Sequence, residues 1–395
     1  MMEWEQQQTE SRQSTRAAFM LVALLLGVAG ALQMPVVSLF LTQQTSASPM
    51  MVGLFYAVNA IAGLVISQWV AVKSDSGNYR HRLILLCCSV AIVNALLFAF
   101  NRHYSILITL GVIMSALATT AMPQLFAHAR QYADRAQTDV VTFTTRMRVQ
   151  ISLSWVVAPP LGFYLIAHFS FTLLYLMVAA LFALSLLLVA LCLPSLNSTP
   201  AANDTHHDNV EKSPARRTEA WFLFIALAML WGSDTMYLID MPIYISQLPG
   251  VVPGFAGWLL GGAAGMEILI MLFCAKLINR FGKRPMMLVA AGSAALFYLG
   301  MAKVETPTLL IAIQLFNAIF IGLVGALGML YLQDLLPGKS GTASTLYTNS
   351  ITTGAVFAGL LQGIVSQYWG HQAIYCAALM LSLVALLLLL KVREA

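Results

Sequence analysis

The chain has 395 residues, 59% of them hydrophobic and 9% charged, with a formal net charge of +5. Soluble domains carry about 25% charged residues, so this composition excludes an ordinary soluble globular protein. The charges collect between long apolar runs, and a run of roughly 20 apolar residues crosses a bilayer as a helix.

Twelve such runs follow one another: residues 17–41, 50–73, 81–101, 103–127, 144–168, 171–194, 219–247, 254–278, 285–303, 306–332, 341–367 and 371–391. The first is too long for a signal peptide and lacks a small-x-small cleavage site before "QMPVV", so it reads as the first span. Only "AHFSF" separates the fifth from the sixth. After the sixth comes the one long polar stretch, "PSLNSTPAANDTHHDNVEKSPARRTEA", whose composition is that of a solvated linker. This divides the chain into a six-helix half (1–197), a linker (198–218) and a second six-helix half (219–395). The predicted fold class is an all-α membrane protein with twelve transmembrane helices.

With the N-terminus inside, the cytoplasmic segments and adjoining helix ends hold all of the 21 Lys and Arg except Arg102 and Lys303. That asymmetry satisfies the positive-inside rule, explains the net charge without a nucleic acid, and places both termini in the cytoplasm. The five cysteines, Cys87, Cys88, Cys192, Cys274 and Cys376, all fall in apolar runs with no Cys-x-x-Cys, which predicts neither disulfide nor metal. His206-His207 sits in the linker and is expected to be solvated. No His-Glu-x-x-His, no Gly-x-Ser-x-Gly and no long outer loop is present, so an enzyme is not expected and no cofactor is called for.

The two halves align. "LQMPVVSLF" (32–40) recurs as "YLIDMPIYI" (237–245), with Gln33 in the place of Asp240. Pro49 and Gly53 match Pro253 and Gly257, and the loop "KSDSGNYRHR" matches "LINRFGKR", with Asp75 over Asn279 and Arg80 over Arg284. Internal repeats of this kind mark transporters whose substrate site lies at the midplane between the repeats. Duplication and unpaired central acids both disfavour a passive channel.

Polarity has a period of three helices. Spans 3, 6, 9 and 12 are nearly bare, with Asn94 their only core amide, and are expected at the periphery. The other spans carry Gln33, Asn59, Gln68, Gln124, Gln150, Asp234, Asp240, Glu267, Gln314, Asn317 and Asn349. Acids and amides at membrane depth must face protein or a water-filled cavity, so two sets of helices are predicted to line a central cavity.

The loops and spans then carry a resemblance. "NRFGKR" (279–284) resembles the loop signature D-R-x-G-R-R of the major facilitator superfamily; the first copy keeps Asp75, Arg80 and Arg82 with its glycine displaced by one position. "SWVVAPPLG" (154–162) resembles the antiporter signature G-x-x-x-G-P-x-x-G, with Ser154 and Ala158 for the first two glycines. The phrases "GVAGALQMP", "GLFYAVNAIAG", "TAMPQLFAHAR", "MRVQISLSWVVAPP", "IDMPIYIS", "GGAAGMEI", "QLFNAIFIG" and "LYLQDLLPG" resemble bacterial sugar efflux transporters of that superfamily. The resemblance implies the major facilitator fold and proton-driven export of small sugars or glycosides across the inner membrane. It also implies a cytoplasmic latch built from Asp75, Arg80, Asn279, Arg280 and Arg284, for which plain positive-inside anchoring is the competing reading.

Glu267 is the sharpest candidate for proton coupling. It lies two residues past the stripe Gly257, Gly261 and Gly265, about 200° around the helix from that close-packing seam. No Lys or Arg is predicted at its depth, and a carboxyl in such surroundings can gain and lose a proton near neutral pH. The competing reading is a permanently protonated acid bonded to a carbonyl. Asp240 is a second candidate, with Tyr237 and Tyr244 on its face and Pro242 expected to kink the span beside it. It suits proton coupling, sugar hydroxyls or the kink alone. Asp234 is a third candidate for proton coupling and lies outside the matched phrases. Gln33, Asn59, Gln124, Gln314, Asn317 and Asn349 offer the donors and acceptors a neutral polyhydroxyl ligand needs, and Trp155 suits stacking on a sugar face. The expected partners are a small sugar or glycoside, protons and the lipid bilayer, handled by a monomer. Export of cationic amphiphilic drugs is the alternative, since acids in an apolar cavity would serve that too.

Overall fold

The computed structural model describes residues 2–75, 79–137, 139–195, 214–337 and 339–393; the side chains of 2–12, 71–75, 141, 214–217, 275, 279 and 340 lie outside that description. His206, His207 and most of the predicted linker therefore fall outside the described residues. The helices are α1 (Met2–Gln33), α2 (Val37–Thr45), α3 (Pro49–Asp75), α4 (Arg80–Phe100), α5 (Tyr104–Ile106), a π turn (Leu107–Gly111), α6 (Val112–Thr119), α7 (Ala121–Arg135), α8 (Val140–His168) and α9 (Phe171–Cys192). They continue with α10 (Pro214–Gln247), α11 (Phe255–Phe281), α12 (Lys283–Met301), α13 (Pro307–Leu335), α14 (Ser340–Trp369) and α15 (His371–Lys391).

Eleven helical segments among the described residues are long and apolar enough to cross a membrane. The twelfth predicted span is α14. Its 30 residues are ample, but Thr, Ser, Asn and Gln dilute its apolar character. The protein is a multi-pass membrane protein with the twelve-helix content the sequence predicts.

Two spans differ from the simple rods expected. Met34–Val36 interrupts the first, separating α1 from α2, because Pro35 has no N–H to donate and its ring clashes with the preceding turn. Thr120 interrupts the fourth, three residues before Pro123, and the Thr120 N–H bonds Leu117 O at 3.2 Å instead of continuing the α ladder. By contrast α10 stays helical through Pro242. The matched Met-Pro phrases thus have unlike backbones.

The chain forms two compact units, one of residues Met1–Val36 and Ile61–Asn203, the other of Val37–Ala60 and Asp204–Ala395. In the first, α1 packs on α8 and α9, and α4 packs on α9, α6 and α7. In the second, α10 packs on α14 and α15, and α12 packs on α15 and α13. The packing scheme is the same in both. So is a fastening detail. His81 Nε2 meets Val189 O and His128 Nε2 meets Pro194 O, both at 3.0 Å, at the end of α9. At the end of α15, Arg284 donates to Leu390 O (2.8 Å) and Tyr331 donates to Arg393 O (2.9 Å). Each pair ties down carbonyls at or just past the C-terminal end of its helix, with different side chains doing the same task.

Two glycine contacts set spacings in the second unit. A Cβ on Gly354 of α14 would lie 2.5 Å from Ala228 O and 2.8 Å from Gly232 N of α10. A Cβ on Gly359 would lie 2.8 Å from Ala57 N and Gly53 O. Backbones touch at both places, as small residues permit where no hydrophobic force draws helices together.

Candidate functional site

α10 carries two acids six residues apart. At 100° per residue they project about 120° from each other, so they meet different neighbours. Asp234 turns toward α11 and α12. It is 7% exposed, its Oδ1 has no hydrogen-bond partner, and it interacts electrostatically with Glu267, Tyr237 and Tyr298. Glu267, on α11, is half-buried, and it also interacts with Tyr347 of α14, which lies beside Trp231. Among the described residues no ion pair involves either acid. The sequence left Asp234 with an unsupported role; the structure sets it next to Glu267. The backbone of α11 at Glu267 is approached closely by α13, where a Cβ on Gly322 would meet Glu267 O at 3.4 Å and Ile270 at 3.2 Å.

Asp240 turns toward α14 and α15. It is fully buried, and its Oδ1 lies 2.6 Å from Nδ1 of His371. Tyr375 and Gln362 flank the same carboxylate. Of the neighbours expected from sequence, Tyr244 interacts with the acid while Tyr237 turns elsewhere. Tyr237 bonds Gln314, and the Tyr244 ring lies against Tyr375 and near His371. One expectation is corrected here: α15 was read as bare, yet it supplies His371 and Tyr375 to a buried acid. Sequence reasoning missed His371 because its partner is 131 residues away. The available signal was a lone histidine opening an otherwise apolar span.

The amides divide into two kinds. Gln314 donates to Tyr237 Oη at 3.2 Å and accepts from Asn317 at 3.0 Å, and all three side chains are almost wholly buried. They form a hydrogen-bonded chain linking α10 to α13, with the buried Asn317 Oδ1 left over as an acceptor. Gln33, Asn59, Asn349 and Trp155 are half-buried, while Gln124 is buried at 6% exposure. In the first unit Gln33 lines a cavity of about 170 Å³ together with Asn94, Ser115 and Thr119, and the Asn94 Oδ1 there has no partner. Asn94, on a span read as nearly bare, thus shares a small, mainly apolar cavity with a predicted ligand residue.

Of the predicted latch residues, Arg284 holds the end of α15 and Arg280 lies over the Phe281 ring at 5.2 Å. Arg80 is half-buried; the side chains of Asp75 and Asn279 lie outside the described residues. An ion pair the sequence did not single out joins Lys283 of α12 to Asp334 of α13.

The family model "Major Facilitator Superfamily" matches residues 19–248 and 223–395. Sugar efflux transporter A of Escherichia coli is 49% identical over 380 residues, covering 96% of each chain. Sugar efflux transporter B of Salmonella typhimurium is 40% identical over 381 residues, again 96% of each. Among solved structures, the nucleoside transporter NupG aligns with a TM-score of 0.81 at 13% identity, covering 96% of this chain and all of that one, which is a likeness of fold alone. A twelve-helix duplicated chain with buried acids, matched over nearly its full length by these relatives, belongs to the sugar efflux transporter family of the major facilitator superfamily.

Proposed function

We propose that the protein exports small sugars or glycosides across a bacterial inner membrane in exchange for protons, by alternating access, as a monomer with both termini in the cytoplasm. The observation that carries the coupling is the Asp234–Glu267 pair: two acids at membrane depth, electrostatically in reach of each other and without a cation among the described residues. Acids without a partner cation at membrane depth are costly to keep charged, and a group that gains and loses a proton there is what a proton-driven exchanger needs. The names of the relatives support the substrate class. Gln33, Asn59, Gln124, Asn349 and Trp155 are assigned to the ligand. Tyr237, Gln314 and Asn317, hydrogen-bonded to one another in the second unit, are proposed as further sugar contacts.

The test is accumulation of radiolabelled sugars, with one cationic dye as control, in everted membrane vesicles. Glu267→Gln keeps size and hydrogen bonding but cannot ionise. Gradient-driven accumulation should collapse while exchange of sugar for sugar survives. Accumulation at the wild-type level in this variant overturns the assignment, and accumulation of the dye without any sugar overturns the substrate class.

A further inference from the structure

A carboxylate with no solvent exposure has no proton path of its own. Asp240 is such a group, and among the described side chains that flank it, Tyr375 and Gln362 are buried while His371 is partly exposed. His371, the first residue of α15, has its Nδ1 2.6 Å from Asp240 Oδ1. Its Nε2 lies 3.4 Å from the amide nitrogen of Gln247, the exposed last residue of α10. The ring is about one-fifth exposed (21%) while the carboxylate is at 0%. One ring nitrogen therefore faces the buried acid and the other faces the end of the helix bundle.

With Asp240 ionised, the partners set the tautomer. An ionised carboxylate only accepts, so Nδ1 carries the hydrogen, which leaves Nε2 as the acceptor facing the Gln247 amide. The remaining groups around the pair are Tyr375 and Gln362 beside Asp240, and Tyr244, itself near Glu305 and Gln372. An amide does not titrate, a tyrosine ordinarily does so only near pH 10, and Glu305 lies by Tyr244 rather than by the buried carboxylate. Among the described residues touching Asp240, the imidazole is the group whose chemistry is to take a proton on one nitrogen and give one from the other.

Resting on the sidedness and proton-driven exchange proposed above, we infer that Asp240 is a further proton-carrying acid and that His371 is its outer relay, passing protons between water and Asp240 through its two ring nitrogens. A proton from outer water bonds to Nε2 and charges the ring. The Nδ1–H bond then breaks toward Oδ1 of Asp240, which becomes a neutral acid beside a neutral imidazole. The pair goes from one net negative charge to none, and discharge to the outside is the reverse.

The decisive variant is His371→Asn, whose amide nitrogen takes the place of Nδ1 and keeps the bond to Asp240 but carries no proton onward. Accumulation of radiolabelled lactose and glucose in everted vesicles is measured with the lumen, equivalent to the outer side, set across about pH 5–8, the range over which histidine changes charge. Sugar-for-sugar exchange in this variant should stay near wild type. Net accumulation should fall about tenfold or more and lose its dependence on lumen pH, in line with loss of a positioned acid–base group. A variant profile superimposable on a proton-dependent wild type overturns the relay and leaves the proposed function standing. Wild-type accumulation that ignores the proton gradient overturns both. Should His371→Asn lose exchange as well, His371→Gln, which keeps an amide near Nε2, decides: retained exchange with lost accumulation supports the relay, and lost exchange makes the pair structural and overturns it.

Discussion

Asp234 of α10 and Glu267 of α11 place two carboxyl groups within electrostatic reach of each other inside one unit, 33 residues apart in the chain (267 − 234). Under the coupling proposed above the two acids act as a unit, and the effects of removing such residues do not add. Asp234→Asn is therefore expected to lower gradient-driven export to within about threefold of Glu267→Gln, with the double variant no worse than the poorer single one. Additive losses in the same vesicle assay would separate the two acids.

Asp240 and His371 should stabilise the join of α10 to α15. Asp240→Ala leaves a buried imidazole N–H without its acceptor, a cost of about 1–3 kcal/mol. Thermal denaturation of the purified protein in detergent should show that loss, and a double-mutant cycle with His371→Ala should recover a coupling of about 0.5–3 kcal/mol. A coupling near zero would mean that the bond holds nothing together. Asp240→Asn, which keeps an acceptor, should fold normally, since removing an intramembrane charge also lowers the cost of insertion.

Gly354 sits where α14 and α10 touch backbone to backbone, against Ala228 O and Gly232 N. Neither neighbour is a flexible side chain that can give way. Gly354→Val should destabilise the protein by about 1–3 kcal/mol through overpacking and reduce its abundance in the membrane. Gly262, whose added Cβ would meet nothing within 4 Å, is the control, and Gly262→Ala should be tolerated.

Arg284 donates to Leu390 O at the C-terminal end of α15. Its charge also suits the negative end of that helix, an interaction of about 0.3–1 kcal/mol. Arg284→Ala should lower the melting temperature slightly, with Arg284→Lys between the two. A larger loss of transport than of stability would restore the latch role the loop resemblance implies.

Sidedness is tested with a reporter active only outside the cytoplasm. Fused after Ala395 it should be silent. Inserted at Gly250, in the turn between α10 and α11, it should be active, and the positive φ of 76° there marks a turn with no side chain to disturb. The opposite pattern would invert the direction assigned to transport.

Membrane spans, their number and the duplicated order were legible in the sequence, because lipid offers backbone groups no partner and forces long apolar helices whatever the neighbours are. The same constraint made Glu267, Asp234 and Asp240 visible, since charges at membrane depth are costly enough to stand out. The resemblance of the loop and span phrases pointed to the family before any contact was known.

Which side chains meet was decided by the tertiary packing alone. The sequence paired Asp240 with tyrosines one turn away, because helical spacing is the only geometry a sequence displays. The fold instead brought His371 to it from α15 and brought Glu267 to Asp234. Gln314 and Asn317 read as ligands on composition, yet packing of α13 against the elements around α10 turned them to Tyr237 and to each other. The Met-Pro phrase shows the limit most clearly. In one copy the helix breaks at Met34–Val36, and in the other it runs on through Pro242. A local motif sets what a backbone is able to do, and the neighbours packed around it select which of those it does.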